Sequence, residues 1–196
     1  MTKMKTRTAV NRDAGFQTRS EGENKYIEGY FAVFNSRYDL WDGAYETILP
    51  GAFDGETERD VRALANHDTA MVLGRTTAGT LELSVDDRGL FGRILINPND
   101  QDAMNVYERV KRGDISQCSF GFNIDEEEIE YGEDGSPDVW KIKHVRLFEV
   151  SVVTFPAYED TAVQARMDDK DQIMKRKKEN WQKEILKKLR GENKDA

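Results

Sequence analysis

The sequence predicts a mainly β protein with flanking helices, of the α+β class, built as a closed or nearly closed β-barrel with a separate C-terminal helix. Two observations carry this. Short runs rich in Val, Ile, Leu, Phe and Tyr recur along the chain, bounded by turn residues. Helical spacing of apolar residues is confined to a few stretches. Many short strands with few helices fit a barrel flanked by helices.

Residues 1–24 are polar and read as a flexible arm with room for a short first strand. Tyr26–Phe34 has strong strand composition, and Asn35-Ser36-Arg37 reads as a loop. Tyr45–Leu49 is a second short strand, closed by Pro50-Gly51. Ala52, Phe53 and Val61–Leu64 suggest a brief helical stretch ending in a turn at Asn66-His67-Asp68. Met71–Gly74 is a short apolar strand. Thr80–Val85 and Leu90–Ile96 form a hairpin around Asp86–Gly89. Asp100 is placed to cap a helix carrying Ala103, Val106, Tyr107 and Val110 on one face, and Gly113 stops it.

An apolar strand starts at Ile115 and contains Cys118, Ser119, Phe120, Gly121 and Phe122. The acidic run from Asp125 to Glu130 reads as a solvated strand edge or loop, and 133–137 as a hairpin loop. A long strand follows from Val139 to about Thr154. Simple alternation puts Trp140, Ile142, His144, Phe148, Val150 and Val152 on one face, and Val145, Leu147, Glu149, Ser151 and Val153 on the other. Residues 25–165 are the expected barrel domain. Residues 166–196 form a basic tail, with an amphipathic helix over Gln172–Arg190.

Charge and composition exclude several classes. The net charge is −8, which argues against a general nucleic-acid binder. No apolar segment is long enough to span a bilayer, and the basic start of the chain lacks the apolar run of a signal peptide. A single cysteine, Cys118, excludes an internal disulfide and fits a reducing cytoplasm. Two histidines and one cysteine, dispersed along the chain, make no metal pattern, and no cofactor-binding motif is present.

The residues that invite chemistry are few. Ser119 shares a strand face with Gly121, opposite Phe120 and Phe122, so another backbone has room to approach it. A hydroxyl is a weak nucleophile without a neighbouring base, and only His67 and His144 can serve. His67 lies in a turn at a strand end, where catalytic groups often sit. Glu149 is an acid in an apolar strand and needs a partner, so it could orient an imidazole. Asp68 competes for that role, although its position suits a turn. Each residue also has a plainer reading: Ser119 as a strand serine, His67 as a loop histidine, His144 as a packed strand histidine. Cys118 shares the parity of the two phenylalanines and reads as a core residue rather than a thiol nucleophile.

Ordered short motifs then identify a family. They are Gly29-Tyr30-Phe31-Ala32-Val33-Phe34, Leu49-Pro50-Gly51-Ala52-Phe53, Asn66-His67-Asp68, Val72-Leu73-Gly74-Arg75 and Gly89-Leu90. Arg112-Gly113-Asp114-Ile115, Cys118-Ser119-Phe120-Gly121-Phe122 and Phe148–Tyr158 complete the series. Together, over roughly Tyr26 to Ala162, the chain resembles the prohead (capsid maturation) proteases of tailed bacteriophages. These are distant relatives in fold of the herpesvirus assemblins.

The resemblance implies a barrel of the herpesvirus-protease type over residues 25–165. It implies a serine endopeptidase packaged in the immature prohead, in the host cytoplasm, without nucleic-acid or membrane partners. Such an enzyme cuts scaffold, or the scaffold-like segment of the major capsid protein, and itself. Ser119 matches the nucleophile, His67 the base and Glu149 the third member. His144 is the rival for the last role, because the viral relatives use a second histidine there. The family commonly has methionine where this chain has Cys118. The viral relatives imply a homodimer. The competing reading is a non-catalytic capsid-assembly module that keeps the barrel and binds through its acidic hairpin or basic tail. A third is a hydrolase of small esters.

Overall fold

The computed structural model describes residues 5–7, 15–41, 43–132, 137–155 and the helical positions 175, 178, 179 and 182. The expected hairpin loop at 133–137 and the tail helix lie almost wholly outside these residues. The chain forms β1 (Lys5–Arg7), β2 (Gln17–Glu21), β3 (Asn24–Val33), β4 (Tyr38–Trp41), β5 (Ala44–Ile48), β6 (Arg62–Ala65) and β7 (Asp68–Arg75). It continues with β8 (Leu81–Val85), β9 (Gly89–Ile96), α1 (Gln101–Arg112), β10 (Gln117–Glu130) and β11 (Asp138–Val153).

Two sheets replace the expected barrel. One has the order β1-β10-β11-β5-β4, with β6 and β7 joined to it through β11, and the other has the order β2-β3-β9-β8. A barrel needs one ladder that returns on itself. Among the described residues no ladder joins these sheets, so the structure is open. Their inner faces share one apolar core, in which Phe31, Leu90 and Ile94 of one sheet lie with Phe120, Phe122 and Val150 of the other.

The first sheet forks along β11. Residues 138–142 of β11 run parallel to β5, and residues 149–152 run parallel to β6. The chain between β5 and β6 fills the fork. The Leu49 amide donates to Ile142 O (2.9 Å) and the Val145 amide to Ala52 O (3.0 Å). The Leu147 amide donates to the buried carboxylate of Glu56 (2.6 Å). These bonds satisfy backbone groups that a continuous strand would otherwise have satisfied. Arg62–Ala65 is a strand and not the helix its composition suggests. Between β11 and β7 its backbone is paired on both edges, which outweighs a weak local preference.

Bulges overturn the simple alternation expected for β11. The β10–β11 register passes over Phe148 and Lys143 on one strand and Asp125 on the other. Each extra residue reverses the facing of everything beyond it. The inward set of β11 is therefore Ile142, then Val145 and Leu147, then Val150 and Val152. Phe148 is only half-buried and outside that core. His144 is not packed among core residues either. Its side chain is 36% exposed, with Nε2 3.3 Å from Asp54 O and Nδ1 3.9 Å from Asp125 Oδ2.

The remaining expectations follow local chemistry. Asp100 caps α1, its carboxylate accepting from the Asp102 and Ala103 amides at 3.0 and 3.1 Å. Gly113 ends the helix with φ of 88°, a conformation glycine adopts without a Cβ clash. Ala103, Val106, Tyr107 and Val110 are its buried face. The hairpin of β8 and β9 is present, and the acidic run is the exposed half of β10. The strand β4 carries no strong signal in the sequence.

Candidate active site

A two-residue turn displays His67. β6 and β7 pair antiparallel with Ala65 opposite Asp68, so Asn66 and His67 are the whole loop. Both have positive φ, 53° and 60°, as a type I′ hairpin turn requires. Asn tolerates this conformation well, whereas histidine gives up about 1–2 kcal/mol in it. The surroundings fix the turn on the end of β11. The Asn66 amide donates to Val152 O at 2.9 Å. Its side-chain oxygen accepts from the Thr154 amide at 2.9 Å. The His67 amide lies 3.3 Å from Ser151 Oγ.

That turn brings together residues distant in sequence. His67 Nδ1 is 2.7 Å from Glu149 Oε1. The other carboxylate oxygen, Oε2, accepts from Ser151 Oγ at 2.6 Å. Glu149 is 4% exposed, so this buried acid has a donor for each oxygen. A carboxylate offers only acceptors, so the imidazole donates through Nδ1. In the neutral ring Nε2 is then the acceptor. Nε2 is itself buried and has no hydrogen-bond partner among the described residues.

Ser119 enters from β10. It stands directly across the ladder from Ser151, and Gly121 stands across from Glu149. Bulge-free pairing over Gln117–Gly121 keeps Cys118 and Phe120 in the core and puts Ser119 on the face of Ser151. Ser119 is fully buried. His144 is elsewhere: its ladder partner is Glu126, seven positions beyond Ser119 on β10. Asp68 is a turn residue, accepting from the Ala70 amide at 2.9 Å.

Cys118 has no access to this face. Its thiol donates to Tyr30 O at 3.0 Å, where a bulge at Phe31 interrupts the β3–β9 ladder. Burial pushes the thiol up to about 12, so it stays protonated and non-nucleophilic at neutral pH. A cleft of about 420 Å³ opens beside the turn, between β7 and α1, but His67, Ser119 and Glu149 are not on its wall. Among the described residues no cluster of His, Cys, Asp and Glu could hold a metal ion, and no helix is long and apolar enough to cross a membrane.

Ser151 is the residue of this group that sequence reasoning did not single out as part of a site. The signal for Ser151 was its spacing: a hydroxyl two residues beyond a strand acid lies on the same face. Gly121 was read as room for an incoming backbone, and the room is occupied by the Glu149 carboxylate.

Known proteins resemble this chain along most of its length. The family model described as caudovirus prohead serine protease matches residues 14–177. The prohead protease of Enterobacteria phage HK97 is 30% identical over 167 residues, covering 82% of this chain and 68% of that protein. The solved structure of the bacteriophage T4 capsid assembly protease aligns with a TM-score of 0.42 at 11% identity, over 79% of this chain and 97% of that one. With most of its length matched by the family model and by the HK97 protein, the chain belongs to the caudovirus prohead serine proteases, enzymes of phage capsid maturation.

Proposed function

We propose that Ser119, His67 and Glu149 act as a catalytic triad that cleaves peptide bonds through an acyl-enzyme. The observation that carries this is the 2.7 Å contact of His67 Nδ1 with Glu149 Oε1. It fixes the tautomer, leaving Nε2 to accept a proton. Ser119 Oγ attacks the scissile carbonyl carbon and gives its proton to Nε2. The tetrahedral intermediate collapses, and the leaving amine takes that proton as the C–N bond breaks. Water then adds to the acyl ester, losing a proton to Nε2; as the acyl C–Oγ bond breaks, Ser119 Oγ takes that proton back and the acid product leaves. The Glu149 carboxylate offsets the imidazolium charge. An extended substrate pairs with an edge of β10 beside Ser119.

In this reading the substrates are scaffold, or the scaffold-like segment of the major capsid protein, and the protease itself, and cleavage takes place inside the prohead. Membership of the prohead protease family supports that assignment. The wider family resemblance adds a homodimer, which the solution mass tests. The deciding experiment compares the unaltered chain with Ser119→Ala in labelling by a fluorophosphonate and in cleavage of co-expressed capsid protein. Label and cleavage should both vanish in the variant. Scaffold processing by purified Ser119→Ala would overturn the proposal.

A further inference from the structure

β10 has two edges. One carries β11. The other carries β1, in antiparallel register Lys5↔Phe122, Thr6↔Gly121 and Arg7↔Phe120. The strand thus runs towards Ser119 and ends its ladder one residue short of it. Arg7 and Phe120 are 113 positions apart in sequence (120 − 7), so this pairing is a tertiary contact and no local turn enforces it. An extended peptide that joins a sheet by strand addition uses main-chain bonds, which any sequence can supply. A substrate held this way and cut by Ser119 therefore needs the edge that β1 already holds. The state of the nucleophile agrees. Ser119 is fully buried and the Nε2 atom of His67 is buried too, so in this conformation the site is closed.

We infer that the segment Lys5–Arg7 occupies the substrate's strand position on β10, so that the chain blocks its own site until β1 leaves. This rests on Ser119 being the nucleophile. The occupant to be exchanged is an extended peptide of the same backbone polarity. A three-residue strand offers few ladder bonds, so a peptide that pairs over a longer run displaces it. Activation then needs no refolding of the core, only release of an edge strand.

The test uses the full chain and the double variant T6P/R7P. Ladder donors alternate along a strand, so adjacent prolines remove whichever amide faces β10. Two probes separate the questions. A small fluorophosphonate needs only the nucleophile. A diphenyl phosphonate bearing an Ala-Ala-Ala peptide also needs the edge. T6P/R7P should react at least about 10-fold faster with the tripeptide probe, with the small probe changed far less. Equal rates with the tripeptide probe, while the small probe labels both proteins at Ser119, would overturn the inference and leave the triad standing. Failure of both probes on both proteins would remove the triad, and the inference with it. If the proline variant does not fold, amide exchange on the unaltered chain decides. Its tripeptide adduct should lose protection at Lys5–Arg7, and unchanged protection there would overturn the inference.

Discussion

Gly121 lies across the ladder from Glu149, and a Cβ at Gly121 would sit 2.5 Å from Glu149 Oε1. That oxygen is the one that meets His67 Nδ1. The glycine is therefore required by the position of the carboxylate rather than by backbone conformation. A methyl group there must push the carboxylate off the imidazole or part the strands. Gly121→Ala should lower kcat about 100-fold, as misplaced catalytic groups do, while costing about 1–3 kcal/mol of stability from overpacking. Peptidase assays beside urea unfolding check both. Full activity in a folded variant would show that the carboxylate position does not matter.

What could be read beforehand follows from the range of the physics involved. The α1 caps, the β8–β9 hairpin and the turn at His67 were legible because neighbouring residues decide them. The parity of β10 was legible because its pairing across Ser119 is regular. The facing of β11 was not, because the bulges at Lys143 and Phe148 answer to the fork filled by Ala52 and Glu56, nearly a hundred residues away. The same non-local pairing turned Arg62–Ala65 from expected helix to strand. Barrel closure also failed as an expectation, since alternation within strands says nothing of whether the last edge meets the first.

Ser151 should prove a positioning residue. Its hydroxyl donates to Glu149 Oε2 at 2.6 Å and lies 3.3 Å from the His67 amide, joining the acid to the turn that presents the base. A hydrogen bond to a charged group contributes about 1.5–3 kcal/mol. Ser151→Ala should therefore lower kcat about 10- to 100-fold with KM nearly unchanged, because no substrate contact is lost. The pH–rate profile should move as well, since the carboxylate that polarises the imidazole has lost a donor. A change in stability alone, with an unaltered pH profile, would reduce Ser151 to a structural role.

Asn66 tests the turn itself. It combines positive φ with the bond from the Thr154 amide. Asn66→Ala loses both its tolerance of that backbone and the bond, and should destabilise the protein by about 1–2 kcal/mol. Asn66→Gly keeps the conformation and loses only the bond, so it should cost less. Thermal unfolding orders the three proteins. If alanine is as stable as asparagine, the turn is not under the strain argued here.

Cys118 gives stability a dependence on alkaline pH. Its thiol is buried between the sheets, and burial raises it from an ordinary 9.0 to about 12. Between these values the unfolded chain has released the proton and the folded chain has kept it. The folded state then binds more protons, so its stability falls as pH rises. The contribution is complete below about pH 9 and is lost progressively towards about pH 12. A single such group imposes a slope of at most about 1.4 kcal/mol per pH unit. Cys118→Ala should be less stable near neutral pH, because a buried sulfur is removed, yet lose stability more slowly above about pH 9. Urea unfolding of both proteins from about pH 8 to about pH 10.5 measures the two slopes. Parallel slopes would mean that the thiol ionises as readily in the folded protein as in the unfolded chain.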